Sequence, residues 1–186
     1  MTTTIRHYAA KGFTLIELLI VVIIIAILAA IAIPQFSNTS DDAQESAAIA
    51  NLTTMRSAIE LYRVQHNGKY PSKAPTGDAP TCPDSGSGST ADNNATTFTD
   101  QLTKFSNVNG HTCATAAAGY SFGPYLRAIP TEPITASNAV VVATTMTGNP
   151  APGAATVGWR FVNDKGALQI NSTKLARDGE TALSDK

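Results

Sequence analysis

From Phe13 to Ile33 the chain has almost no polar side chains: Glu17 is the only charge and Thr14 the only other polar residue. At helical rise this segment is about 31 Å long, close to the thickness of a bilayer core. It is apolar on every side rather than along one stripe, so it reads as a membrane span and not as the core helix of a soluble domain. Beyond Pro34 the composition becomes polar, rich in Ala, Thr, Ser, Asn and Gly. Residues 1–12, MTTTIRHYAAKG, carry Arg6 and Lys11 and no acid. That asymmetry keeps the leader in the cytoplasm and places the body outside. The formal net charge is −1, or −3 without residues 1–12. Neither value gives the basic footprint of a nucleic-acid-binding protein.

Two kinds of processing fit such a start. An ordinary secretory signal would use Phe13–Leu28 as its apolar core and cut after Ala30-Ile31-Ala32, releasing a soluble protein. Glu17 argues against it, because a carboxylate in an apolar span is costly and needs a partner or a route to the headgroups. The run Lys11-Gly12-Phe13-Thr14-Leu15-Ile16-Glu17-Leu18-Leu19 instead resembles the prepilin cleavage and methylation motif, which begins type IV pilins and type II secretion pseudopilins. The close likeness covers about residues 10–36. It implies a prepilin peptidase/methyltransferase that cuts between Gly12 and Phe13 and methylates the new Phe13 amine. It implies that Glu17 meets the Phe13 amine of a neighbouring subunit during assembly. The implied partners are copies of the chain and related pilins in a helical filament, an inner-membrane assembly platform and the lipid bilayer. The implied location is the bacterial inner membrane, single-pass, and then a periplasmic or cell-surface filament. Pro34 stands where the family usually has a proline, and it should bend the helix there; a helix end at Pro34 is the alternative.

Helical periodicity resumes after Asp41 and Asp42. Ala48, Leu52, Met55, Ile59 and Tyr62 form one stripe, with Arg56, Glu60 and Arg63 mostly off it. The helix should run to about Gln65 and stop at Asn67-Gly68 and Pro71. His66, at its end, is expected to be solvated. The organisation expected is therefore a cleaved leader (1–12), a long helix (13–65) with a transmembrane and filament-core half (13–33), and an extracytoplasmic head (66–186). Residues 72–118 read as a long loop with a short helix around Phe98 to Phe105. The C-terminal third reads as antiparallel sheet: a β-branched run at Ala139–Thr145, then strands Gly158–Val162 and Ala167–Asn171 about the turn Asn163-Asp164-Lys165-Gly166. Trp159, Phe161, Leu168 and Ile170 should face the helix stripe. The fold class is α+β, a long N-terminal helix packed on a small antiparallel sheet.

Cys82 and Cys113, an even pair in an exported body, are expected to form one disulfide. A metal site built on them and His111 lacks a fourth ligand at any recognised spacing. No catalytic residue, metal or cofactor is expected. His7 leaves with the leader, and no Ser-His-Asp, zinc or phosphate signature is present. Scattered basic residues predict no nucleic-acid partner. The segments Asn67-Gly68-Lys69-Tyr70-Pro71 and Gly123-Pro124-Tyr125-Leu126-Arg127-Ala128-Ile129-Pro130-Thr131-Glu132-Pro133 resemble parts of the major type II secretion pseudopilin. The cysteine-bearing loop departs from that pattern. The expected function is a structural filament subunit, pseudopilin-like in its head; a pilus subunit acting in adhesion, motility or DNA uptake is the alternative.

Overall fold

The computed structural model describes residues 12–83, 88–144 and 156–172, without the side chains of residues 33–39. Helix α1 is Leu15–Gln65, and the helical assignment runs through Pro34, so the helix does not end there. Proline has no N–H, which leaves the Ala30 carbonyl without its usual donor four residues on. The chain forms two compact units, one up to Asp41 and one from Asp42 onward. In the first, the apolar side chains from Leu15 to Leu28 all lie exposed.

In the second unit the expected stripe is the core. Ala48, Leu52, Met55, Ile59 and Tyr62 are buried. They pack in one cluster with Trp159, Phe161, Leu168 and Ile170. These four lie on β4 (Trp159–Val162) and β5 (Ala167–Ile170), which pair antiparallel, with Trp159 opposite Ile170 and Phe161 opposite Leu168. The period-2 alternation thus aims two cross-strand pairs at one helix face. Each such side chain contributes about 1.5–3 kcal/mol through burial. Arg56, beside the stripe, donates from Nε and Nη2 to the Leu168 carbonyl at 3.2 and 2.9 Å, tying the helix to β5.

Helix α2 (Ala95–Thr103) closes the cluster with Phe98 and Leu102. The rings of Phe98 and Phe161 lie 4.7 Å apart. The helix begins three residues earlier than expected because Asn94 caps it, accepting from the Thr96 and Thr97 amides. Strand β3 (Val140–Ala143) completes a three-stranded sheet in the order β3-β4-β5. Here the expectation is corrected in one strand: β3 runs parallel to β4, Val140 beside Trp159. The reason is connection length. The hairpin signal lies at 163–166 only, whereas residues 144–158 are long enough for the crossover that parallel strands require. A separate antiparallel pair, β1 (Phe105–Ser106) and β2 (Thr112–Cys113), had no clear sequence signal.

Helix α1 stops as a Schellman-type end. Asn67 takes φ 56°, Gly68 takes φ 78°, and the Gly68 amide donates to the Arg63 carbonyl at 2.9 Å. The chain then crosses the tip of the β4–β5 hairpin. Gly166 has φ 66°, and the Tyr70 ring occupies the space a side chain would need there. Lys73 pairs with Asp164 at 2.6 Å. The segment 123–133 stitches the core from the other side: the Tyr125 and Leu126 amides both donate to the Leu102 carbonyl, and Trp159 Nε1 donates to the Pro130 carbonyl at 2.8 Å.

His66 is not solvated as expected; it is 1% exposed. Its ring stacks on Tyr62 with centroids 3.7 Å apart, and Nδ1 lies 2.7 Å from the Tyr62 carbonyl, so Nδ1 carries the proton. Nε2, 3.1 Å from Ser106 Oγ, accepts the hydroxyl proton. Burial lowers the pKa of His66, opposed by its backbone hydrogen bonds. The folded state therefore binds the second proton less readily than the unfolded chain, whose histidine titrates near 6.5. This contribution to stability is fully present above the unfolded value and is lost as pH falls below it toward the lower folded value. Urea midpoints should fall between pH 7.5 and pH 5, and His66→Gln should flatten that dependence, as read by circular dichroism.

Cys82 and Cys113 are bonded, with Cα atoms 5.7 Å apart and a sequence separation of 31. The bridge fastens the long loop to β2. The loop is also held by polar groups: buried Gln101 accepts from the Ser72 amide and donates to the Lys73 and Gly110 carbonyls. Chain-entropy reasoning gives the closed loop an effect of roughly 3–4 kcal/mol. The double variant Cys82→Ser/Cys113→Ser should lose about that much in urea unfolding, with the core helix retained.

Candidate functional site

Gly12 and Phe13 precede the first helical turn. Nothing lies within 4 Å of where a Gly12 side chain would start, and Phe13 is 88% exposed. Both residues are thus exposed. Glu17, one turn further on, is bound locally: its Oε2 accepts from the Thr14 amide at 2.9 Å and from Thr14 Oγ1 at 2.8 Å, while the Glu17 amide donates back to Thr14 Oγ1 at 3.2 Å. Thr14 is the N-cap and Glu17 the third helical residue, which makes a capping box. Thr14 is the site residue that reading the sequence missed. The signal was present as Thr-x-x-Glu ahead of an apolar run. The box matters because an apolar span has few groups of its own to satisfy the first helical amides. Oε1 of Glu17 takes no part in it.

A second surface also escaped the sequence reading. On the side of α1 away from the core stripe, Ala43, Ala47, Ala50, Thr54, Ser57, Leu61 and Val64 are all exposed. They recur at alternating intervals of four and three, the spacing of a helix-packing seam. Leu61 is 50% and Val64 77% exposed. Thr54 and Ser57 turn their hydroxyls back to the Ala50 and Thr53 carbonyls, which leaves the seam with little hydrogen-bonding demand. Glu60 and Arg63 flank it as an ion pair at 3.1 Å. The sequence offered the repeat, but small residues carry a weak hydrophobic signal beside the Leu-Met-Ile-Tyr stripe.

Of the residues singled out from the sequence, Gly12, Phe13 and Glu17 lie together at the start of α1. Cys82 and Cys113 meet in the head, so neither offers a free thiolate to a metal. Pro34 lies within α1, its side chain outside the described residues. Among the described residues no group of three or more His, Cys, Asp or Glu side chains is placed to hold a metal ion.

Comparison with known proteins points to the same end of the chain. Residues 8–33 match the prokaryotic N-terminal methylation motif. The type II secretion system core protein G of Pectobacterium carotovorum subsp. carotovorum is 31% identical over 65 residues, 35% of this chain and 41% of that protein. The type IV narrow pilus major component PilA5 of Thermus thermophilus is 49% identical over 59 residues, 32% of this chain and 51% of that one. The type IV major fimbrial protein FimA of Dichelobacter nodosus is 60% identical over 50 residues, 27% and 32% of the two chains. The matched stretches span about a third to a half of these relatives. No solved structure matches the chain.

The capping box separates two roles of Glu17. Thr14→Ala should speed amide exchange in the first turn of α1, whereas Glu17→Gln, which retains an acceptor at the third position, should leave it nearly unchanged. Hydrogen exchange read by NMR on the detergent-solubilised chain distinguishes the two.

Proposed function

We propose that the chain, whose residues 8–33 match the N-terminal methylation motif and which is similar to type II secretion core protein G and to type IV pilins, is a structural subunit of a filament built from the inner membrane. The peptidase cuts between Gly12 and Phe13 and methylates the Phe13 amine. Cutting ahead of the apolar segment, not after it, leaves residues 13–33 on the mature chain as anchor and filament core. The head lies outside the cytoplasm, where an oxidising compartment sustains the Cys82–Cys113 bridge. The carrying observation is the arrangement within residues 12–17: an open Gly–Phe peptide, then a capped helix start with one carboxylate, leading into a helix that is apolar all round.

Assembly needs surfaces that stay unfilled in the single subunit. Two are present on α1, the apolar span and the exposed seam from Ala43 to Val64. In lipid the span gains little by exchanging tails for another helix, so close packing and specific polar pairs set the geometry. Glu17 supplies such a pair: the free Oε1 meets the cationic Phe13 amine of a neighbour, while Oε2 keeps the cap. A bend at Pro34, where the helix lacks one backbone hydrogen bond, would ease entry of the span into the bundle. The partners are copies of the chain and related pilins on an inner-membrane assembly platform.

The head favours a pseudopilin of type II secretion. The segments 67–71 and 123–133, which resemble the major pseudopilin, here organise the end of α1, the hairpin tip and the Trp159 environment. A pilus subunit is the second reading, favoured by the higher identities to the pilus component PilA5 and to FimA over shorter stretches.

Mass spectrometry of membrane-extracted protein should find a mature chain beginning at methylated Phe13; a chain beginning at Ile33 would establish the secretory alternative and end this proposal. Glu17→Gln should be inserted and processed normally yet lose roughly tenfold or more of sheared filaments by electron microscopy, because the pair is broken while the cap survives.

A further inference from the structure

The chain contains four Asn-x-Ser/Thr triplets, at Asn38 and Asn51 in α1 and at Asn94 and Asn171 in the head. Such triplets are acceptors for amide-linked glycans when they lie on the surface of an exported protein. Three of the four are unsuited by their surroundings. Asn38 lies inside α1. Asn51 lies inside α1 as well, and its Nδ2 is engaged with the Thr131 carbonyl at 3.2 Å. Asn171 is 2% exposed, and its Nδ2 donates to the Val157 carbonyl.

Asn94 differs in each respect. Its backbone is extended, at φ −119° and ψ 135°. Its Oδ1 accepts from the Thr96 and Thr97 amides, whereas its Nδ2 has no hydrogen-bond partner among the described residues and is not buried. The amide nitrogen, the atom that takes the sugar, is therefore free, and the oxygen keeps its capping duty after modification. Thr96, the recognition hydroxyl two residues on, is exposed. Alongside runs an open groove of about 520 Å³ that starts at Ala95 and Thr96. Thr99 and Thr103 on α2, Arg127 and Asn138 line it together with apolar Ala128, Ile129 and Val140, and no carboxylate does. Hydroxyl, amide and guanidinium groups around an open cleft suit a sugar ring, which offers hydroxyls as both donors and acceptors.

We propose that Asn94 is a glycosylation site and that the attached sugar lies along the groove between α2 and β3. The co-substrate is a lipid-diphosphate-linked oligosaccharide on the outer face of the membrane. Asn94 Nδ2 bonds to the anomeric carbon as the bond from that carbon to the diphosphate oxygen breaks. The diphosphate leaves with the electron pair, and one amide proton passes to a base of the transferase. The inference rests on the head lying outside the cytoplasm, as proposed above.

The test is peptide and intact mass spectrometry of the chain purified from the membranes and filaments of its own source cells. A hexose or N-acetylhexosamine increment is expected on the peptide containing Asn94. Asn94→Asp, which keeps an N-cap acceptor, and Thr96→Ala should abolish it, and Thr96→Ser should retain it. The peptides containing Asn51 and Asn171 should be unmodified. A chain that starts at Phe13 with an unmodified Asn94, or with sugar only on Asn51, Asn171 or hydroxyl side chains, overturns this site and leaves the filament reading standing. A chain that retains residues 1–12 and carries no sugar overturns both.

Discussion

The structure of the head depends on the burial of one face of α1 against the β4–β5 hairpin. Leu52, Met55, Ile59 and Tyr62 meet Trp159, Phe161, Leu168 and Ile170, and all eight are almost fully buried. Helical residues at intervals of three and four fall on one line, and alternate residues of a strand fall on one face, so a stripe of the helix and one face of the hairpin are presented to each other. The other parts of the head secure that arrangement. Arg56 holds the edge of β5, α2 seals the cluster with Phe98 and Leu102, and segment 67–71 clasps the hairpin tip. A helix so occupied on one side has its opposite side left over, and that side carries the Ala43–Val64 seam.

The region between the helix and the sheet is built on another principle. Residues 72–83 and 88–94 have few apolar side chains and could not order themselves by burial alone. They are fixed by buried polar hubs. Gln101, 1% exposed, reaches Ser72, Lys73 and Gly110; Asp100 receives the Ser89 amide; Asn107 Oδ1 accepts from the Asn109 and His111 amides. Each bond is modest, but leaving any of these buried groups unpaired is costly, so the set is retained together or lost together. The disulfide adds a covalent limit to how far the loop can open.

These two principles explain what the sequence made legible. The helix stripe, the strand alternation, the 163–166 turn and the Asn67-Gly68 stop are local periodic or stereochemical signals, and each lies where the pattern put it. The direction of β3 was not legible, because a β-branched run states that a strand forms and not which way it pairs. The polar hubs were hidden too, since a glutamine that organises a loop looks like one on a solvated helix face. His66 belongs with them. At a helix end its solvation was the natural expectation, but one more turn along the stripe from Tyr62 puts it on the buried face, where Ser106 and the Tyr62 carbonyl satisfy both ring nitrogens. Gly12, Phe13 and Glu17 stand out in the sequence, and residues 8–33 match the N-terminal methylation motif. The Thr14 cap is hard to see in the sequence because the strongly apolar run that follows outweighs the Thr-x-x-Glu signal at its start.

That cap changes how an acid at the start of an apolar helix can be understood. A lone carboxylate in an apolar helix has to be stabilised from the moment of insertion, before any neighbouring subunit is available. Thr14 provides this within the chain, holding one oxygen and tying the charge to the positive end of the helix dipole. The second oxygen stays available. The proposed cleavage before Phe13 would create a cation at the head of the helix, and in the proposed filament the carboxylate of one subunit would meet that amine on another copy. Local capping and intermolecular pairing would then draw on different oxygens of one side chain, and assembly would not require the helix start to be dismantled.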